Sequence, residues 1–200
     1  MSNVRRTIAV FDFDGTLTQC DTLALFIRHS HGWLRMLCGL LCCAPLLIRF
    51  KLGYYSNDKA KERLFSYFYK GMDYAEFKRY GEVFAEKVEK VKNDEMVKKA
   101  EQHNRDGHTV YVVSASIVEW VSPWCKNHGM ENVLCTEAEV GKDGRLTGRF
   151  KTPNCYGQEK VRRLLAAEPN RDTYELYAYG DSRGDKDMID FADHGIWVCK

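Results

Sequence analysis

Along most of the chain, short apolar runs alternate with stretches in which apolar positions recur every three or four residues. The first run, Thr7-Ile8-Ala9-Val10-Phe11, is apolar at consecutive positions, as expected of a strand buried on both faces of a parallel sheet. From about Asp21 to Val91 the period becomes helical. Within that block Ser56 and Asn57 precede Ala60, Leu64, Tyr67 and Phe68 at helical spacing, and Gly71 ends the run. Asp73 and Glu76 make a capping-box-like start for a helix with Phe77, Phe84, Val88 and Val91 on one side.

Past this block the alternation resumes. The pattern predicts a helix from Asp94 to Arg105, a strand from His108 to Val113, a helix from Ile117 to Asn127 and a strand from Val133 to Thr136. Gly141 to Gly144 reads as the turn of a hairpin. A helix from Gln158 to Ala167, a strand from Tyr174 to Tyr179, a helix from Asp185 to Ala192 and a strand from Ile196 to Cys199 complete the order. Such an order predicts an α/β fold, a Rossmann-like parallel sheet with helices on both faces. The helical block is then an insertion after the first strand, placed as a cap over the sheet's carboxyl edge, where ligands bind in such folds. On this reading residues 1–18 and 92–200 form the catalytic core and residues 19–91 the cap.

Composition changes the picture little. The chain is 44% hydrophobic and 29% charged, ordinary globular usage. Its net charge of +2 supplies no global field, so no nucleic-acid partner is expected. The eight cysteines include no C-x-x-C pair, and Cys38, Cys42 and Cys43 have no histidines at ligand spacing, so buried reduced thiols are expected. Only a short apolar run precedes Asp12 and Asp14. That is not a secretory signal, and the expected location is the cytoplasm.

The most apolar stretch runs from Trp33 to Phe50. Its unbroken part, Met36 to Ile48, contains Gly39 and Pro45 and is flanked by Arg35 and Arg49. It falls short of the roughly 20 residues a membrane span needs. Two placements stay open: a helix packed in the core of the cap, or an interfacial helix in peripheral contact with a membrane.

Four polar clusters fall at strand ends or helix starts. Asp12-Phe13-Asp14-Gly15-Thr16 places two carboxylates directly after the first strand, beside a Gly-Thr turn. Val113-Ser114-Ala115-Ser116 ends the next strand and offers hydroxyls and N–H groups to an anion. Lys160 sits in the first turn of a helix, where a cation is out of place unless an oxyanion lies nearby. Gly180-Asp181-Ser182-Arg183-Gly184-Asp185 puts carboxylates after a third strand, in the manner of a Mg²⁺ site.

In this order the four clusters resemble the motifs of the haloacid dehalogenase-like superfamily, closest to its phosphoserine phosphatase-like branch, subfamily IB. The resemblance covers nearly the whole chain and implies a Mg²⁺-dependent phosphomonoester hydrolase with an aspartyl-phosphate intermediate. It implies Asp12 as nucleophile and Asp14 as general acid and then base. It also implies Mg²⁺ on Asp12, the Asp14 carbonyl and Asp181, with Asp185 holding the metal shell. Ser114, Ala115 and Thr16 would bind phosphate, and Lys160 the charge shared by Asp12 and phosphate. A second carboxylate in the first motif argues against a dehalogenase, which has no leaving oxygen to protonate. Asp21 stands where phosphoserine phosphatases carry a substrate-facing glutamate. It is a specificity candidate and equally a helix cap. The implied substrate is a small phosphorylated metabolite, phosphoserine-like or an amino-alcohol phosphate. The alternatives are a peripheral lipid-phosphate phosphatase, phosphatidylglycerophosphatase-like, and a non-catalytic binding protein of the same fold. Oligomeric state leaves no mark in the sequence.

Overall fold

The computed structural model describes residues 5–51, 54 and 56–199, without the side chains of residues 46, 47 and 49–51. In chain order the elements are β1 (Arg6–Phe11), α1 (Thr22–Lys51), α2 (Asn57–Tyr69), α3 (Tyr74–Glu89), α4 (Asp94–Arg105), β2 (Thr109–Ile117), α5 (Val118–Asn127) and β3 (Asn132–Thr136). Then follow β4 (Ala138–Val140), β5 (Leu146–Phe150), α6 (Gln158–Ala167), β6 (Tyr174–Gly180), α7 (Lys186–Phe191) and β7 (His194–Trp197). The main sheet is parallel, in the order β3-β2-β1-β6-β7. The expected α/β architecture, with a helical cap after the first strand, is what the chain adopts.

Both faces of the sheet are covered, which accounts for the unbroken apolar run in β1. Ile8 and Val10 join Tyr111, Val113, Leu176 and Ala178 on one side, under Leu164 of α6 and Met188 of α7. Ala9 and Phe11 belong to the other side with Val110 and Val112, under Val97 and Ala100 of α4 and Trp124 of α5. Each buried Val, Leu, Ile, Phe or Met among them contributes roughly 1.5–3 kcal/mol relative to exposure. The strand order reverses beside β1, so the crevice expected at a reversal point opens at the end of β1, flanked by β2 and β6.

The path into and out of the cap is a small ribbon. Gln19 donates its N–H to the Val91 carbonyl, and Asn93 donates to the Leu17 carbonyl, each at 2.8 Å, around a Thr18–Lys92 bridge. Phe26, Phe65, Tyr69, Phe77 and Phe84 form the centre of the cap, and Phe26 stacks on Trp120 of the core at 4.5 Å. α3 lies so close to α5 that a Cβ on Gly81 would come within 2.0 Å of the Glu119 carbonyl oxygen. The β4–β5 hairpin also reaches the cap, with Leu146 donating to the Met72 carbonyl and Gly71 donating back to Leu146.

The apolar stretch turns out to be two-sided. α1 breaks at Gly32, whose φ of 76° suits glycine. Beyond the break Met36, Leu40 and Cys43 pack inward, and a Cβ on Gly39 would meet the Phe68 ring at 2.1 Å. Trp33 and Leu41 lie 61% and 65% exposed, with Leu34, Leu37 and Ile48 on the open side as well. The side chains of Leu46, Leu47, Arg49 and Phe50 fall outside the described residues. None of the eight cysteines forms a disulfide, but Cys38, Cys42 and Cys199 are exposed rather than buried, the first two because α1 is covered on one side only.

Two of the boundary differences follow from strand pairing. β2 runs on to Ile117, so Ser114 ends no strand and opens no helix; α5 begins at Val118. The register against β3 shifts between Ser114, paired with Cys135, and Ile117, paired with Thr136, and this irregularity frees Ala115 and Ser116 from regular pairing. β7 begins at His194, two residues earlier than the apolar run suggested, because His194 and Gly195 pair with Tyr177 and Ala178.

Candidate active site

At the carboxyl edge of β1 the chain turns sharply through Phe13–Leu17, closed by a hydrogen bond from the Thr18 N–H to the Phe13 carbonyl at 2.9 Å. Gly15 sits in this turn at φ 84°, and a Cβ there would stand 2.3 Å from a carboxylate oxygen of Asp181. Both the backbone angle and the close approach require glycine. The turn therefore brings the first and fourth clusters together. One carboxylate oxygen each from Asp12, Asp181 and Asp185 lies within 4.8 Å of the others.

Lys160 is not the surface lysine that its helix-start position would ordinarily suggest. It is buried, and its Nζ donates to Asp12 Oδ1 at 2.5 Å, Asp185 Oδ1 at 2.6 Å and the Val113 carbonyl at 2.8 Å. Burial alone works against the ammonium, but the Asp12 and Asp185 carboxylates outweigh it and hold its pKa above the ordinary lysine value. For Asp12, burial pushes the carboxyl up to about 7, with Asp185 and Asp14 adding to the rise and Lys160 opposing it. Asp185 spends its other oxygen, Oδ2, on the N–H groups of Asp181 and Ser182 and on the Ser182 hydroxyl. Those bonds fix the loop that carries Asp181.

Asp14 stands at the junction of core and cap. Its Oδ1 accepts the Thr22 N–H at 2.8 Å and the Thr22 hydroxyl at 2.6 Å; its Oδ2 is bonded to the Ser116 hydroxyl. Burial raises its pKa, Asp21 raises it further, and Lys61, Ser116 and Thr22 pull the other way. Ser114 is buried, and its Oγ accepts the Ser116 N–H at 3.0 Å.

These residues line a cavity of about 390 Å³. Asp12, Asp14, Asp181, Asp185, Lys160, Ser114 and Ala115 form its floor, and Asp21 lies on its wall. Asp21 also caps α1, accepting the Leu23 N–H at 2.8 Å, so the two readings of this residue coexist. Thr16 is wholly buried and lies outside the cavity lining. Lys61, Asn57, Ala60 and Leu64 of α2, together with Tyr156, complete the wall. The sequence pattern had singled out none of these as functional. Lys61, one turn before Phe65 and so within the otherwise apolar buried face of α2, was the one available signal.

Comparison with known proteins agrees with this geometry. A model of the haloacid dehalogenase-like hydrolase family matches residues 9–190. Protein CicA of Caulobacter vibrioides is 30% identical over 187 residues, covering 93% of this chain and 83% of its own length. A histidinol-phosphatase of Neisseria meningitidis serogroup C is 26% identical over 209 residues, covering 96% of this chain and 90% of its own. A solved substrate-bound phosphoserine phosphatase complex matches with a TM-score of 0.65 at 17% identity, over 94% of this chain and 83% of that one. With four motifs gathered on one sheet edge beneath a helical cap, the chain belongs to the haloacid dehalogenase-like hydrolase family and shares the fold of its phosphoserine phosphatase-like branch.

Proposed function

We propose that the chain is a Mg²⁺-dependent phosphomonoesterase that works through an aspartyl-phosphate on Asp12. The observation that carries this reading is the buried Lys160–Asp12 pair beside Asp181, at the floor of a cavity small enough for a metabolite. The oxygen-only donor set suits Mg²⁺, which takes few protein carboxylates. Asp12, Asp181 and the Asp14 carbonyl would hold the ion, with Asp185 fixing their loop. Bound there, it supplies charge neutralisation at the phosphoryl oxygens.

The chain's own groups divide the rest. An Asp12 oxygen attacks phosphorus while the bond to the leaving oxygen breaks, and Asp14 gives that oxygen its proton. Water then attacks the phosphoaspartate, passes a proton back to Asp14, and frees Asp12 and inorganic phosphate. Lys160 stabilises the charge shared by Asp12 and phosphate. Ser114 already accepts from the Ser116 N–H, which leaves its own proton for a phosphoryl oxygen. Ala115 contributes backbone to the same pocket. In domain terms, residues 1–18 and 92–200 carry this chemistry and residues 19–91 select the substrate. Eight cysteines without a disulfide fit the reducing cytoplasm.

For the substrate we favour a small phosphate ester bearing an ammonium group, phosphoserine-like or an amino-alcohol phosphate. Asp21 on the cavity wall offers the matching carboxylate, and the Neisseria relative named a histidinol-phosphatase supports an amino alcohol. A second reading, a peripheral lipid-phosphate phosphatase, is favoured by the exposed side of α1. No acidic residue occurs between Asp21 and Asp58, while Arg28, Arg35, Arg49 and Lys51 do, a charge balance suited to an anionic bilayer surface. Among the described residues no helix is long and apolar enough to cross a membrane.

A phosphate-release screen over phosphorylated amino acids, amino alcohols, sugars and vesicle-borne lipid phosphates tests both. Turnover that requires Mg²⁺ and vanishes in Asp12→Asn supports the phosphatase; no turnover in any class refutes it. Preference for vesicle-borne substrate, lost in Leu41→Glu, selects the lipid reading.

A further inference from the structure

Both carboxylate oxygens of Asp14 are hydrogen-bonded within the protein, and their partners differ in kind. On Oδ1 the direction of the bonds is fixed. The indole N–H of Trp120 can only donate, and it donates to Thr22 Oγ1 at 3.1 Å. The Thr22 hydroxyl proton therefore points to Asp14 Oδ1, alongside the Thr22 backbone N–H. With two donors converging on it, Oδ1 is the oxygen that accepts in every state. A proton on it would face both donors.

Oδ2 meets a different neighbour. The Ser116 hydroxyl, wholly buried, is bonded to it. This single donor leaves Oδ2 a lone pair for a proton, so the contact persists whether or not Oδ2 holds one. Thr22, Trp120 and Ser116 are all buried, so water does not readily replace any of the three partners.

We propose that Oδ2 is the proton-carrying oxygen of Asp14, and that Ser116 is the positioning residue that keeps this carboxyl in place in both its protonated and ionised forms. The inference rests on the phosphatase reading above, with Asp14 as acid and then base. In the first step the Asp12–phosphorus bond forms and the bond to the leaving oxygen breaks. The proton passes from Oδ2 to that oxygen, and Ser116 donates to the ionised Oδ2. In the second step a water oxygen bonds to phosphorus and the bond to Asp12 breaks. The water's proton returns to Oδ2, and Ser116 goes on donating to the remaining lone pair of that oxygen. Thr22 and Trp120 hold Oδ1 throughout, so the carboxyl keeps one orientation across both steps.

Leaving groups that depart without a proton separate this role from a merely structural one. The full chain with Mg²⁺ is assayed on a series running from nitrophenyl phosphate to simple alkyl phosphates. Ser116→Ala should lose on the order of 10²-fold in kcat/KM on alkyl esters, the range of general-acid effects, but less than about threefold in kcat/KM on the nitrophenyl ester, because kcat/KM reports only the steps up to departure of the leaving group. Ser116→Thr, which restores a hydroxyl, should recover most of the alkyl rate. Thr22→Val should show the same split more weakly, because the Thr22 N–H still reaches Oδ1, and it carries the test if Ser116→Ala does not fold. Equal losses on both ester classes in folded variants, or no loss on alkyl esters, would overturn the role of Ser116 while leaving the phosphatase intact. A wild-type chain that hydrolyses neither class overturns both.

Discussion

Replacing Lys160 with methionine keeps the volume and removes the charge, and its cost follows from what the ammonium touches. Lys160 is 2% exposed and bridges Asp12 and Asp185 at 2.5 and 2.6 Å. Without it two buried carboxylates face each other across a site with no cation. Removing one partner of a buried ion pair costs about 3–5 kcal/mol, and that is the loss expected at pH 8 in EDTA. For a chain of this size it lowers Tm by about 6–20 °C. The cost depends on pH. The Asp12 carboxyl is already pushed up to about 7 by burial, and losing Lys160 raises it further. A carboxyl with a raised folded pKa contributes stability below its unfolded value that is lost as pH rises through the folded value. At pH 5 the variant's Asp12 is therefore protonated, and its gap to wild type narrows by roughly 1–3 kcal/mol, each pKa unit being worth about 1.4. Urea melts followed by the fluorescence of buried Trp120 and Trp124 measure both values. Millimolar Mg²⁺ should stabilise the variant more than wild type, since a cation now has two uncompensated carboxylates to bind. A gap under about 1 kcal/mol at pH 8, or one that does not change between pH 8 and pH 5, refutes the reasoning, because a buried uncompensated charge predicts neither.

Gly15→Ala should cost roughly 1–2 kcal/mol for its left-handed backbone and, by displacing Asp181, weaken Mg²⁺ binding by about 10–100-fold; metal titration by calorimetry tests this, and unchanged affinity excludes Asp181 as a ligand. Gly39→Leu should wedge α1 off the Phe68 ring and destabilise the fold by about 1–3 kcal/mol in chemical denaturation; Gly32→Asn meets no neighbour, but its backbone at φ 76° and ψ 167° is essentially glycine-only, so it should cost about 1–3 kcal/mol as well. His103 is held down to about 4, first by burial and then by His108 and Lys99. Its neutral form therefore supports the fold above about pH 6.5, and that support fades as pH falls towards 4, by about 1–2 kcal/mol after allowing for screening. The drop in Tm from pH 7 to pH 4.5 should be smaller in His103→Gln than in wild type.

Much of the fold was legible because its signals are local. β1 is apolar from Ile8 to Phe11 since both sheet faces are covered, and the first and fourth polar clusters directly follow β1 and β6. Lys160 announced itself by standing where a helix start disfavours a cation, and its partners proved to be the two carboxylates of the neighbouring clusters. What stayed hidden depends on distance along the chain. Ser116 and Asp14 are 102 positions apart, and Trp120 and Thr22 are 98 apart, and no periodicity ties such pairs together. The open side of α1 was equally silent. A helix that is apolar all round does not say which of its faces meets Phe68 and which is left bare. β2 outran its expected end because the irregularity against Cys135 and Thr136 is set by a neighbouring strand, not by its own residues.

The ribbon formed by Leu17–Gln19 and Val91–Asn93 has a consequence for how such a molecule changes over time. Because the outgoing and returning strands meet, the sheet experiences the whole excursion as if it were a tight turn between β1 and α4. Insertions, deletions or wholesale replacement beyond that neck alter the roof of the pocket without shifting the register of a single strand beneath it. Innovation in what the pocket accepts is thereby separated from the inheritance of the floor that does the chemistry, so long as Thr22 is kept to hold Asp14.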